Sequence, residues 1–164
     1  MMRSLKTIAG VFLSLTLLQG SEAWAEMDEV EKLLQEDRTV ESLQWVEARL
    51  EAAPEDLGLR ELRIDLRVGM GFGAGEVTRL DEVVRRDPGN VDAWYLLGRA
   101  LLDVERSRAA YEHALRLDPT HARSWMGRGS LQEFDEDCEK AEESYSHALV
   151  LDPELHEAWL GRIR

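Results

Sequence analysis

The chain has 164 residues, 44% of them apolar and 32% charged, and a formal net charge of −13. That length suits one domain with a real core, and the mixture of apolar and charged residues argues against disorder throughout. The negative charge repels nucleic-acid backbones and anionic lipid surfaces, so DNA, RNA and membrane-surface partners are set aside.

The N-terminus carries an address. Arg3 and Lys6 precede an uncharged apolar run from Ile8 to Leu18, and Ser21-Glu22-Ala23-Trp24-Ala25 supplies small residues of the kind a signal peptidase accepts. The run has 11 residues, whereas a membrane-spanning helix takes about 20. Residues 1–25 are therefore expected to be a cleaved secretory signal, the alternative being a retained anchor. Export to the bacterial periplasm or medium follows, with no membrane insertion after cleavage. Cys138 is the one cysteine, so no intramolecular disulfide can form. It falls where a helix begins to pack, and a buried thiol is expected there.

Helices are predicted near 27–36, 40–52, 57–69, 76–86, 91–103, 106–117, 122–134, 138–150 and 155–164. They are punctuated by Pro54, Pro88, Pro119 and Pro153, spaced by 34, 31 and 34 residues. A period of that size points to stacked helical repeats. The segments agree: Tyr111-Glu-His-Ala-Leu-Arg-Leu-Asp-Pro119 matches Tyr145-Ser-His-Ala-Leu-Val-Leu-Asp-Pro153 at seven of nine positions. Trp94, Trp125 and Trp159 each follow a proline by six residues.

These residues resemble the tetratricopeptide repeat family. Its Trp-x2-Leu-Gly motif stands here as Trp94-x2-Leu97-Gly98, with Leu101 where an aromatic is usual, and its Ala-x3-aromatic motif as Ala141-x3-Tyr145 and Ser107-x3-Tyr111. The resemblance implies an all-α, short right-handed superhelical solenoid of antiparallel helix pairs, with about three to four repeats over 26–164. Segments 26–56 and 57–90 are degenerate; the latter has Arg60 at the tryptophan position and Ile64 at the glycine position. Segment 91–121 is three residues short between Gly98 and Ser107, so its helices should be clipped or its turn tight. Segment 122–155 is the best preserved. A terminal helix, 156–164, is expected to turn Trp159 and Ile163 inward and Glu157, Arg162 and Arg164 outward.

A search for chemistry returns little. The glycines from Gly69 to Gly75 do not follow a strand and are joined by no lysine, so a flexible turn is expected rather than a phosphate loop. His113 and His147 are repeat equivalents, and no histidine pair has helical zinc spacing. Asp135-Glu136-Asp137 lacks the ligand pattern of a calcium loop and reads as an acidic turn before a helix. No nucleophile elbow is present. No catalytic residue, cofactor or metal is expected, and the protein is read as a non-enzyme.

In a helical-pair solenoid the first helix of each pair lines the inner face. The residues rotated off the packing stripe there are Tyr95, Arg99 and Leu102 on one helix and Arg123, Met126 and Ser130 on the next, with Leu160 and Arg164 continuing the row. Aromatic, methionine and arginine side chains suit a peptide or protein segment, and Arg99 and Arg123 could hold its carboxylate. The expected function is therefore a non-catalytic interaction or scaffold module of the cell envelope, binding in this concave groove. Two alternatives stand beside it. One is self-association into a structural assembly. The other is a repeat module of c-type cytochrome assembly, which the run Ala93-Trp-Tyr-Leu-Leu-Gly-Arg-Ala100 resembles.

Overall fold

The computed structural model describes residues 29–162, and their regular structure is entirely helical. Residues 29–35 (α1) pair with Thr39–Ala52 (α2), Leu57–Gly69 (α3) with Gly73–Arg86 (α4), Val91–Ala100 (α5) with Val104–Leu117 (α6), and Ala122–Phe134 (α7) with Cys138–Leu151 (α8). His156–Arg162 (α9) follows. The proposed signal at 1–25 lies outside the described residues, as do Ile163 and Arg164.

Helices pack mainly on their chain neighbours. The odd-numbered ones also meet each other (α3 on α5, α5 on α7, α7 on α9), whereas no two even-numbered helices pack to a comparable extent. The odd helices thus form a continuous inner wall and the even helices an outer layer. The core follows the same logic: it is divided into three clusters, centred on Val46 and Leu62, on Leu80 and Leu96, and on Tyr145 and Leu155.

The 34-residue period has a local cause in the turns that return the chain to the inner wall. Asp87, Asp118 and Asp152 each end a helix immediately before proline, and each carboxylate accepts from the backbone N–H two residues on. Proline then denies the helix its next donor. Six residues later the indole N–H of Trp94, Trp125 or Trp159 donates to that proline's carbonyl at 2.9, 2.8 and 3.0 Å. At Arg60 the guanidinium instead reaches Glu55 in the Pro54 turn. The next helix is started by a side-chain acceptor: Asp56, Asn90 and His121 cap α3, α5 and α7.

The turns within each pair are three residues long, and their middle residue is left-handed in three of four: Asp37 (φ 59°), Gly71 (φ 85°) and Glu136 (φ 63°). The fourth turn, 101–103, differs because the missing residues come out of α5. That helix has 10 residues where α3 and α7 have 13, a loss of about 4.5 Å of axis. The chain crosses the gap extended, with Leu101 at φ −77° and ψ 133°, and Asp103 caps α6. The helix predicted over 91–103 therefore stops at Ala100. Leu102 is left in the connection, 84% exposed, instead of on the inner face. Leu102→Ser is expected to shift urea-unfolding stability by no more than about 0.5 kcal/mol; a larger loss would place it in a packed contact.

Three smaller expectations are also corrected. The glycine run is a turn only at 70–72, because Gly73 and Gly75 already belong to α4. The sixth helix starts at Val104, not near 106, since its cap is Asp103. Cys138 is exposed: it occupies the first turn of α8 just after the Asp137 cap, ahead of the first buried residue, Ala141.

Candidate interaction surface

Residues four, seven and eleven after each proline share one face of an odd helix. In α5 these are Asp92, Tyr95 and Arg99; in α7, Arg123, Met126 and Ser130; in α9, Glu157 and Leu160. In α3 the last two are Glu61 and Asp65.

The two arginines expected to be free are already paired. Arg99 grips Asp65 through Nε and Nη2 at 2.9 and 2.6 Å and reaches across to Glu157 at 3.3 and 3.2 Å. Arg123 holds Glu61 at 2.6 Å, and Glu61 also accepts from the Tyr95 hydroxyl. Arg99 touches that hydroxyl at 3.4 Å. One network therefore joins α3, α5, α7 and α9, and Glu157, expected to face outward, points into it.

Burial holds the Glu61 and Asp65 carboxyls above their ordinary values, with Arg99 opposing the shift at both and Arg123 opposing it at Glu61. Burial also works against the charge of Arg99, but Asp65, Tyr95 and Glu157 outweigh it and leave that guanidinium firmly protonated. A carboxyl raised in the folded state contributes stability that is full below its unfolded value and is lost as pH rises through the folded one. The parent is thus expected to gain on Glu61→Gln as pH falls from 7 towards 4.5, the ordinary glutamate value. Thermal unfolding of both proteins across that range tests this; a pH-independent difference would sink it.

The other expected groove residues fare unevenly. Tyr95 and Met126 are buried at 0% and 3% exposure, so they present little surface to a ligand. Ser130 is exposed and bonds the Met126 carbonyl. Sequence reasoning missed Glu61, Asp65 and Glu157. The first two were within reach, because Glu61–Tyr95 and Asp65–Arg99 are both separated by one repeat, 34 residues. Laying the degenerate repeat over its neighbour sets acid against arginine and tyrosine.

Three of the four histidines have structural partners, whereas His156 Nδ1 is buried with no hydrogen-bond partner. His113 stacks on Trp94 and His147 on Trp125, with centroids 4.1 and 4.0 Å apart. His121 accepts from the Ser124 N–H through Nδ1, which leaves Nε2 to donate to Asp92 at 3.2 Å. Among the described residues no group of three or more His, Cys, Asp or Glu is placed to hold a metal, and no helix is long and apolar enough to cross a membrane.

Comparison with known proteins fits this architecture. The tetratricopeptide repeat family model matches residues 77–103 and 102–156. Among solved structures, TTC0263, a thermophilic tetratricopeptide-repeat protein of Thermus thermophilus, is 20% identical with a TM-score of 0.55, over 85% of this chain and 84% of its own. YrrB, described as a tetratricopeptide-repeat protein with an unusual peptide-binding site, is 18% identical with a TM-score of 0.55, over 98% of this chain and 84% of its own. One chain of the APC/C hetero-tetramer Cut9–Hcn1 aligns at 19% identity and a TM-score of 0.60, over 97% of this chain but 32% of its own length. A comparison with curated protein sequences finds no match. The family match covers residues 77–156, just under half of the chain, and the fold of the described residues is a tetratricopeptide-like all-α helical solenoid.

Proposed function

We propose that the protein is a non-catalytic scaffold of the cell envelope that holds a peptide or protein segment along the concave wall of α3, α5, α7 and α9. The observation that supports this best is the network in which buried Glu61 and Tyr95 help to hold Asp65, Arg99, Arg123 and Glu157, partly exposed groups of both signs, in fixed positions along that wall. Groups already held in place cost a ligand less to engage than side chains that must be ordered on binding. A carboxylate on the ligand reaches Arg99 by taking the place of Glu157, whose contacts are longer than those of Asp65. The solved YrrB indicates that this fold can host a peptide site, and the leader at 1–25 supports export.

Charge reversal at Arg99 or Arg123 would break the fold's own ion pairs and confuse the result. Ser130→Trp is the cleaner test, since it fills the wall beside the network and removes no charge. The exported protein and this variant are used to capture partners from envelope extract, and each partner's affinity is then measured with purified components. A partner bound about tenfold more weakly by a still-folded Ser130→Trp protein (about 1.4 kcal/mol) supports the groove. Equal affinity places binding elsewhere.

Self-association is the second reading, favoured by Val150 and Trp159, which lie 80% and 46% exposed on α8 and α9. Light scattering across concentrations decides it: a dimer abolished by Val150→Glu supports this reading, and a strict monomer removes it.

A further inference from the structure

A second charged cluster sits behind the inner wall, where α3 is flanked by α2 and α4. Arg63 and Arg67 are each two residues from Asp65, about 200° round the helix, so they face away from the groove. With Arg79 of α4 they converge on one buried carboxylate, Glu76. Arg79 approaches it at 2.9 and 3.2 Å, Arg67 Nε at 3.3 Å and Arg63 Nη2 at 3.5 Å. Glu47 of α2 takes the other side of Arg67 at 2.6 Å.

The balance of charge is unusual for this chain. Three guanidiniums meet two carboxylates, in a protein with 33 acidic residues and 20 lysines and arginines. The repeat equivalents of Glu76 are the small residues Ser107 and Ala141, both buried between paired helices. One arginine would suffice to neutralise a glutamate placed there. Three surround it, and the donors outnumber the acceptors, since each guanidinium carries five N–H groups. Arg63 Nε is buried with no acceptor at all. Burial and the adjacent Arg79 lower the Arg63 pKa even though Glu76 opposes them. The side chains remain reachable, at 18%, 34% and 39% exposure for Arg63, Arg67 and Arg79.

We propose that Arg63, Arg67 and Arg79 bind an oxyanion of the phosphate class on the outer face of the α3–α4 pair. A tetrahedral anion presents an oxygen to each of three forked donors, and it supplies the negative charge that the cluster lacks. Glu76 remains beneath it as the fixed counter-charge that holds the three side chains together. A free anion and a phosphate carried on a peptide share this chemistry.

The full-length protein is titrated with inorganic phosphate at constant ionic strength, by calorimetry and by the NMR signals of the arginine Nε–H groups. Saturable one-site binding that moves the Arg63 signal is expected, weakened about tenfold in Arg79→Gln and Arg63→Gln. Arg79 is the more exposed, so Arg79→Gln carries the test if Arg63→Gln fails to fold. A phosphoserine peptide bound more tightly than inorganic phosphate identifies a carried group, and equal affinity identifies the free anion. Absence of saturation, the same shifts with matched chloride, or parental affinity in Arg79→Gln would overturn the assignment.

Discussion

Tyr111→Ala is expected to lower urea-unfolding stability by about 3–5 kcal/mol, the range for emptying a buried aromatic site. The ring is 6% exposed and lies between two odd helices, in a slot that depends on missing side chains. A Cβ at Gly98 would come within 2.6 Å of the ring, and one at Gly127 within 2.5 Å. Tyr145 repeats the arrangement between Gly129 and Gly161. Backbone on both sides leaves the cavity little means of collapsing, which puts the loss at the upper end of its class. The converse substitution checks the cause. Gly127→Ala gains about 1 kcal/mol of helix propensity but drives a methyl into a ring with no free side, at about 1–3 kcal/mol. Net destabilisation is expected, and a stabilised Gly127→Ala protein would show that the slot is loose.

The parts of that slot recur in the sequence, but only the stacking shows each ring held between glycines of successive odd helices. Tyrosine, glycine, tryptophan and Asp-Pro return in successive repeats, 31 or 34 residues apart, and each has a local function. The conflicts arose where copies differ. Leu102 looked like a groove residue because the helical pattern was carried on past Ala100, and the three-residue loss could equally have shortened a turn or a helix. The cap at Asp103 decides between them, since its carboxylate holds the Arg106 N–H at 2.8 Å. Glu76 is one acid among many in this chain, and its burial at 3% exposure among three arginines is what marks it. Arg99 and Arg123 read as free for a related reason. Their acids lie 34, 58 and 62 residues away, on helices that only the stacking brings near. Periodicity tells which face a residue occupies, whereas pairing across that face depends on how far the solenoid curves.

The same pairing predicts a large effect at Glu61. Glu61→Ala removes the carboxylate that accepts from both Arg123 and the Tyr95 hydroxyl, leaving a guanidinium only 20% exposed and a buried hydroxyl without that acceptor. Breaking a buried pair from one side costs about 3–5 kcal/mol, and urea unfolding should show that loss. Glu157→Ala should cost less, because Arg99 keeps its fork on Asp65 at 2.6 and 2.9 Å. The double variant Glu61→Leu/Arg123→Met removes both charges, and apolar replacements of buried pairs are often neutral or stabilising. It is expected to recover most of the loss, with the coupling read from a double-mutant cycle. An effect of Glu61→Ala below about 1 kcal/mol would mean the pair is screened by water like a surface bridge, and the network would then lose its claim to be preset. If the double variant is stable but no longer holds the partner of the parent protein, the charges serve recognition. If it holds that partner unchanged, they serve the solenoid alone and the ligand lies elsewhere on the wall.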